Sequence, residues 1–230
     1  MSSKSQLATR NRLERVFLVD DHPVFRNGLA ELIRREKDLQ VCGEADTAEQ
    51  ATRALAAAKA NLAIIDLSLQ GKSGLELTKD IRIQHPQLFI LVMSMHAEHL
   101  YAERALRAGA NGYIMKQANP ELIIKAIRKV LRGEVYLSES LSSTILHTFS
   151  GHSSGKAVSP VFQLSDREFE VFRMVGEGKP TRQIARQLGI SSKTVDAHRA
   201  HIRDKLQLQT GPDLICYAVR WLETNKGPDR

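Results

Sequence analysis

Five residues that could do chemistry follow short apolar runs. Asp20 and Asp21 close Val16-Phe17-Leu18-Val19, and Asp66 closes Leu62-Ala63-Ile64-Ile65. Ser94 closes Phe89-Ile90-Leu91-Val92-Met93, and Lys116 closes Tyr113-Ile114-Met115. Brought together, three carboxylates repel one another and require a cation. A hard oxygen donor set of this kind favours Mg²⁺, which uses one or two carboxylates and keeps several waters. A carboxylate is also a nucleophile toward phosphorus, giving an acyl phosphate. An ammonium and a cation would neutralise the transferred group, and a hydroxyl could hydrogen-bond one of its oxygens. Singly, each residue has a plainer use: an aspartate after a strand commonly caps a helix, and a lone lysine is commonly solvated. His22, next to the acid pair, reads as a surface histidine at a helix start.

The elements around these residues are what make convergence plausible. Strands are expected at Arg15–Asp20, Gln40–Ala45, Leu62–Leu67, Leu88–Ser94 and Gly112–Lys116, with helix-period segments at 23–35, 47–59, 74–84, 98–108 and 120–132. Asn119 followed by Pro120 is a helix-start signal. Apolar strands alternating with helices predict an α/β, doubly wound, five-stranded parallel sheet covered on both faces. In such sheets ligands bind beyond the carboxyl ends of the strands, where the strand order reverses. Four of the five strands deliver a polar side chain to that edge.

From Ser138 to Ser159 serine, glycine and proline replace the periodicity. A short helix around Leu141, Ile145 and Leu146, then a tether from Gly151, is the reading there. Beyond 163 the pattern is all helical. Ser165-Asp166-Arg167-Glu168 is a capping box, Thr181 is taken as the cap of a second helix, and Gly189 stops that helix. Ser191 or Ser192 starts a third, and a final helix spans about 213–223. Two helices joined by so short a turn form a helix-turn-helix. The domains are thus expected at 14–135 and 163–225, with a linker over 136–162.

The net charge is +7, and it is unevenly spread. Lys179, Arg182, Arg186, Lys193, Arg199, Arg203 and Lys205 face only Asp196 and Asp204 within 179–205, a basic stretch suited to an anionic partner. Winding the third helix at 100° per residue turns Val195, His198, Ile202 and Leu206 inward. Lys193, Ala197, Ala200 and Asp204 then lie opposite, with Asp196 and Arg203 on a flank. No apolar run approaches membrane-spanning length, and Met1–Ser5 leads into no signal-like apolar region. Cys42 and Cys216 lack metal-ligand spacing and fall in different domains, so both are read as reduced thiols in a cytoplasmic protein.

Val19-Asp20-Asp21-His22-Pro23, Ile64-Ile65-Asp66-Leu67, Val92-Met93-Ser94 and Gly109-Ala110-Asn111-Gly112-Tyr113-Ile114-Met115-Lys116 resemble the receiver motifs of the NarL/FixJ response regulators. Leu164–Val171, Gln183–Ser191 and Lys193–His198 resemble the LuxR-type helix-turn-helix domain. The resemblance implies a flavodoxin-like receiver in which Asp66 is the phosphoacceptor. It implies Mg²⁺ held by Asp20, Asp21, Asp66 and the Ser68 backbone carbonyl, with Ser94 and Tyr113 as a switch pair and Lys116 neutralising the phosphoryl charge. The implied partners are a sensor histidine kinase, double-stranded DNA and, once phosphorylated, a second copy of the chain. Lys193, Thr194, Asp196, Ala197, Arg199, Ala200, Arg203 and Lys205 would meet DNA. Asp196 and Ala200 stand where some family members carry basic residues, so base preference does not transfer. Thr210-Gly211-Pro212 also departs from the usual basic residue before the last helix. A transcription regulator rather than an enzyme is expected. The alternatives are a metal-dependent phosphohydrolase, whose aspartates would sit as Asp-x-Asp on the first strand, and a regulator whose helical domain binds protein.

Overall fold

The computed structural model describes residues 13–69, 71–138, 141 and 160–225. Met1–Ser5, Ile145 and Leu146 of the expected short helix, and the tether from Gly151 lie outside the described residues. Five strands, β1 (Glu14–Val19), β2 (Leu39–Ala45), β3 (Leu62–Asp66), β4 (Phe89–Ser94) and β5 (Gly112–Met115), form one sheet in the order β2-β1-β3-β4-β5. Every neighbouring pair is parallel. Helices α1 (Pro23–Arg34), α2 (Ala48–Ala58), α3 (Gly74–Gln84), α4 (Glu98–Arg107) and α5 (Pro120–Leu131) alternate with the strands.

The period of two along each strand divides the core. Val16, Leu18, Ile64 and Met93 point to the side covered by Ile33 of α1 and Ile127 of α5. Phe17, Val19, Ile65 and Val92 point to the side covered by Ala51, Ile81 and Ala102 of α2, α3 and α4. The strand ladders stop one residue short of Asp20, Leu67 and Lys116, so Asp20 and Lys116 project just past the sheet edge. Asp66 closes β3 itself. The order reverses between β1 and β3, and the acids arrive at that gap. Gly74, the first residue of α3, sits against the Asp66 backbone: a Cβ there would lie 2.0 Å from the Asp66 carbonyl oxygen. Only glycine lets α3 begin this close to the acid.

A 3₁₀ turn (Pro160–Gln163) leads into α6 (Asp166–Gly176), α7 (Thr181–Leu188), α8 (Ser192–Leu206) and α9 (Gly211–Thr224). The Ser165–Glu168 capping box is present. Thr181 is the first residue of α7 rather than its cap. Pro180 holds the cap position, and the Thr181 hydroxyl instead accepts from Arg199 Nη1 at 3.1 Å. Gly189 takes φ 64°, the left-handed turn that ends α7. Ser191 then caps α8 by accepting from Thr194 N at 3.0 Å. The last helix starts earlier than expected, because Thr210 and Asp213 form a capping box and Pro212 sits in the first turn, where no N–H is needed.

The two domains dock through side chains. Arg104 of α4, 8% exposed, donates to the carbonyls of Val161 (2.8 Å) and Leu164 (3.0 Å) and lies 3.4 Å from Asp166 Oδ1. Its guanidinium stacks 4.0 Å from the Phe169 ring centre. Asp166 also accepts from Lys79 of α3 at 2.6 Å. Arg173 Nε donates to the Tyr101 hydroxyl at 2.8 Å, and Arg167 donates to Gly71 O at 2.9 Å. Asp166, Glu170 and Arg173 are buried despite their charge because the first domain covers this side of α6.

Candidate functional site

Asp20, Asp21, Asp66, Ser94 and Lys116 meet at the carboxyl edge of the sheet. Lys116 Nζ is the hub, 2.7 Å from Asp20 Oδ2 and 2.8 Å from Asp66 Oδ2. It lies 4.6 Å from the centre of the Phe25 ring, whose face adds a cation–π contact. Asp66 is 1% exposed, and burial raises its carboxyl above the usual range although Lys116 opposes the shift. Its Oδ1 accepts from Ser68 N at 3.2 Å, which fixes the loop after β3 against the acid. Asp21 Oδ1 is buried and has no hydrogen-bond partner among the described residues. An orphaned carboxylate oxygen next to two further acids, with one ammonium among them, is a donor set short of positive charge. It fits a divalent cation bound by oxygen.

Ser94 and Tyr113 are both fully buried. Ser94 Oγ accepts from His96 N at 3.1 Å, and the Tyr113 hydroxyl donates to His96 O at 2.6 Å. The Tyr113 ring is therefore already inside the domain, and its burial pushes the phenol pKa upward. His96 connects the site to its surroundings. Its Nε2 lies 3.1 Å from Ser68 Oγ, and its ring stacks on Tyr101 with centroids 4.9 Å apart. Burial lowers its pKa to about 4, so the ring is neutral at neutral pH.

The docking residues have no counterpart in the sequence reading, whereas His22 lies at the start of α1 as read. The His22 ring is exposed, as expected of a surface histidine, yet its Nδ1 approaches Asp21 Oδ1 to 2.8 Å. Adjacency to the acid pair was the available signal. For Arg104, Tyr101 and Arg173 no local signal exists, since their partners are 57 to 72 residues away.

On α8, Val195, Ile202 and Leu206 are buried and His198 is half-buried, while Lys193, Thr194, Asp196 and Ala197 are exposed. Ala200, Arg199 and Arg203 are intermediate. Lys205 Nζ is held 2.7 Å from Glu168 Oε2 and Arg199 is held by Thr181, so both are tied to their own domain. The Asp196 side chain makes no ion pair or hydrogen bond with another described residue.

Comparison with known proteins agrees with this arrangement. Residues 16–128 match the response regulator receiver domain, and residues 163–218 match the bacterial regulatory proteins of the luxR family. The oxygen regulatory protein NreC of Staphylococcus haemolyticus is 34% identical over 210 residues, which is 90% of this chain and 97% of that protein. NreC of Staphylococcus aureus is 33% identical over the same shares. A LuxR-family two-component response regulator from Aurantimonas superposes with a TM-score of 0.55 at 34% identity, covering 59% of this chain and 97% of that one. RcsB of Salmonella enterica serovar Typhimurium, bound to promoter DNA with a beryllofluoride phosphomimetic, superposes at 0.61 and 25% identity, covering 91% of this chain and all of that one. A five-stranded receiver with its acidic edge, followed by a LuxR-type helix-turn-helix domain, places this chain among the NarL/FixJ response regulators of two-component systems, the family of transcription regulators to which it belongs.

Proposed function

We propose that a sensor histidine kinase phosphorylates this chain on Asp66, and that the modification controls homodimerisation and sequence-specific binding to double-stranded DNA. The observation that carries this is the buried Asp66 carboxylate, shared with Asp20 by the Lys116 ammonium at the sheet's switch point. Asp20, Asp21, Asp66 and the Ser68 carbonyl would hold Mg²⁺, which supplies charge neutralisation for the incoming phosphoryl group. Lys116, 2.8 Å from Asp66 Oδ2, would neutralise part of the same charge. The receiver is taken as 14–135, the linker as 136–162 and the DNA-binding domain as 163–225, acting in the cytoplasm. No helix among the described residues is long and apolar enough to cross a membrane.

In the switch, the Ser94 hydroxyl is expected to leave His96 N for the phosphoryl oxygen and Tyr113 to turn inward into the vacated space; the ring is already buried, so that turn is a shift within the core. Sedimentation of the full chain with beryllofluoride and Mg²⁺ tests the proposal: a dimer with raised DNA affinity is expected. Unchanged mass together with unchanged affinity would count against it.

At the DNA, Lys193, Arg199, Arg203 and Lys205 are the phosphate-contacting candidates, with Lys193 and Arg203 the two not tied to their own domain. Thr194, Asp196, Ala197 and Ala200 face the groove. An ionised aspartate accepts hydrogen bonds, and cytosine N4 is the matching major-groove donor. Asp196, lacking a partner on its own helix, is available for that contact. Asp196→Ala is expected to relax preference at one C·G position by roughly 1–3 kcal/mol. Binding-site selection yielding the same motif for both proteins would discard the contact.

A further inference from the structure

We propose that His22 is a metal ligand, its imidazole joining the three carboxylates so that the pocket holds a first-row transition ion such as Mn²⁺ more tightly than Mg²⁺. The inference rests on the acidic pocket being a divalent-cation site and concerns which ion that site selects.

The His22 side chain occupies the cap position of α1 but makes no capping hydrogen bond. Its backbone is pinned instead: its N–H donates to Asp20 Oδ1 at 2.8 Å, and its carbonyl accepts from Arg26 N at 3.0 Å. Pro23 follows and restricts His22 to extended backbone, observed at φ −95° and ψ 100°. From that position the ring, 64% exposed and free to point at solvent, turns back to the acids. Its Nδ1 lies 2.8 Å from Asp21 Oδ1, 3.4 Å from Asp20 Oδ1 and 3.8 Å from Asp66 Oδ2. The nearest of these does not align as a hydrogen bond, which leaves Asp21 Oδ1 without a donor.

One donor atom from each of Asp20, Asp21, His22 and Asp66 lies within 4.8 Å of all the others. A divalent ion with bonds of about 2.1 Å places adjacent donors about 3 Å apart and opposite donors about 4.2 Å apart. The separations from Nδ1 to Asp20 (3.4 Å) and Asp66 (3.8 Å) fall in that range, and the one to Asp21 (2.8 Å) lies just below it. Asp20 divides its oxygens, with Oδ2 on Lys116 and Oδ1 toward His22, whereas Asp66 Oδ2 faces both, 2.8 Å from Lys116 Nζ and 3.8 Å from His22 Nδ1, so the ion would share that oxygen with the ammonium. An all-oxygen site suits Mg²⁺, whereas one imidazole moves the preference toward first-row transition ions. A histidine that merely ion-paired with the acids would instead be displaced by the cation and would contribute no nitrogen to it.

The full-length chain titrated with Mn²⁺ tests this. Pulsed electron paramagnetic resonance of the bound ion is expected to show coupling to a directly bound ¹⁴N, lost in His22→Asn, which keeps a residue favoured at a helix cap. Competition with Mg²⁺ should show the Mn²⁺ preference falling by about tenfold in His22→Asn. His22→Gln serves as a second variant should the asparagine perturb α1. Mn²⁺ bound in the wild-type chain without nitrogen coupling would overturn the proposal while leaving the cation site standing. Mn²⁺ binding undiminished in Asp21→Asn would place the ion elsewhere and overturn both.

Discussion

Asp66→Asn is expected to reduce phosphorylation to background while making the receiver more stable. The amide keeps the shape of the carboxyl but cannot form the mixed anhydride, and the neighbouring acids are poorly placed to substitute. Asp20 has one oxygen on Lys116 and the other accepting from His22 N. The stability effect follows from the direction of the pKa shift. Burial raises the Asp66 carboxyl above its unfolded value, so its contribution to folding is best at low pH, below the unfolded pKa. That contribution is lost as pH rises through the folded pKa, and at neutral pH the charged form is held against its preference. A neutral isostere removes that cost and part of the repulsion from Asp20, and Lys116 still keeps Asp20 as a partner. Incubation with a small-molecule phosphodonor and Mg²⁺, followed by hydroxylamine cleavage, reads the first effect. Urea unfolding at neutral pH in a chelator reads the second. Undiminished labelling would remove Asp66 as the acceptor, and a lower urea midpoint would contradict the account of its burial.

The receiver was legible because its signals are local. Each strand is an apolar run ended by a polar residue, and a parallel sheet sends all such ends to one edge. The positions of Asp20, Asp66, Ser94 and Lys116 therefore followed from period and order. The α8 packing face was legible for the same reason, since 100° per residue carries Val195 and Ile202 inward together. What could not be read depends on side-chain rotamers or on a surface distant in sequence. Thr181 looked like a cap because its type suits one, but Arg199 from the next helix competes for its hydroxyl. The pairing of Lys205 with Glu168 at 2.7 Å could not be read either, because 37 residues separate them. Asp166 reads as the first acidic residue of a capped helix. Nothing near it in sequence announces Arg104 or Lys79 from the other domain.

That docking contact carries the second large effect. Arg104→Ala is expected to open the two domains without phosphorylation. The guanidinium is buried, serves two backbone carbonyls and Asp166, and covers the face of Phe169. Removing one member of a buried ion pair costs about 3–5 kcal/mol when the structure cannot relax. Here it can relax, by undocking, which returns Asp166 and the carbonyls of Val161 and Leu164 to water. The penalty therefore appears as a docking equilibrium weakened by roughly two to three orders of magnitude rather than as unfolding. The sole tryptophan, Trp221, reports it, because its ring packs edge-on to Phe169 at 5.7 Å. Its emission should shift to longer wavelength in Arg104→Ala and by less in Arg104→Lys, which keeps the charge but neither the fork nor the stacking plane.

The DNA consequence depends on what docking covers. It covers α6, whereas Lys193, Thr194, Asp196 and Ala197 of α8 remain exposed in the docked chain. Docking thus restrains where the helix-turn-helix can sit rather than hiding the side chains that would read bases. Dimeric helix-turn-helix proteins need two such helices placed one turn of DNA apart, about 34–36 Å. A domain fixed to its receiver meets that spacing only if the receivers happen to allow it. Arg104→Ala should therefore raise affinity for a two-half-site operator and leave affinity for a single half-site unchanged. Equal gains on both DNAs would show that docking blocks the recognition helix itself. Unchanged tryptophan emission with unchanged operator affinity would mean that Arg104 does not hold the domains together.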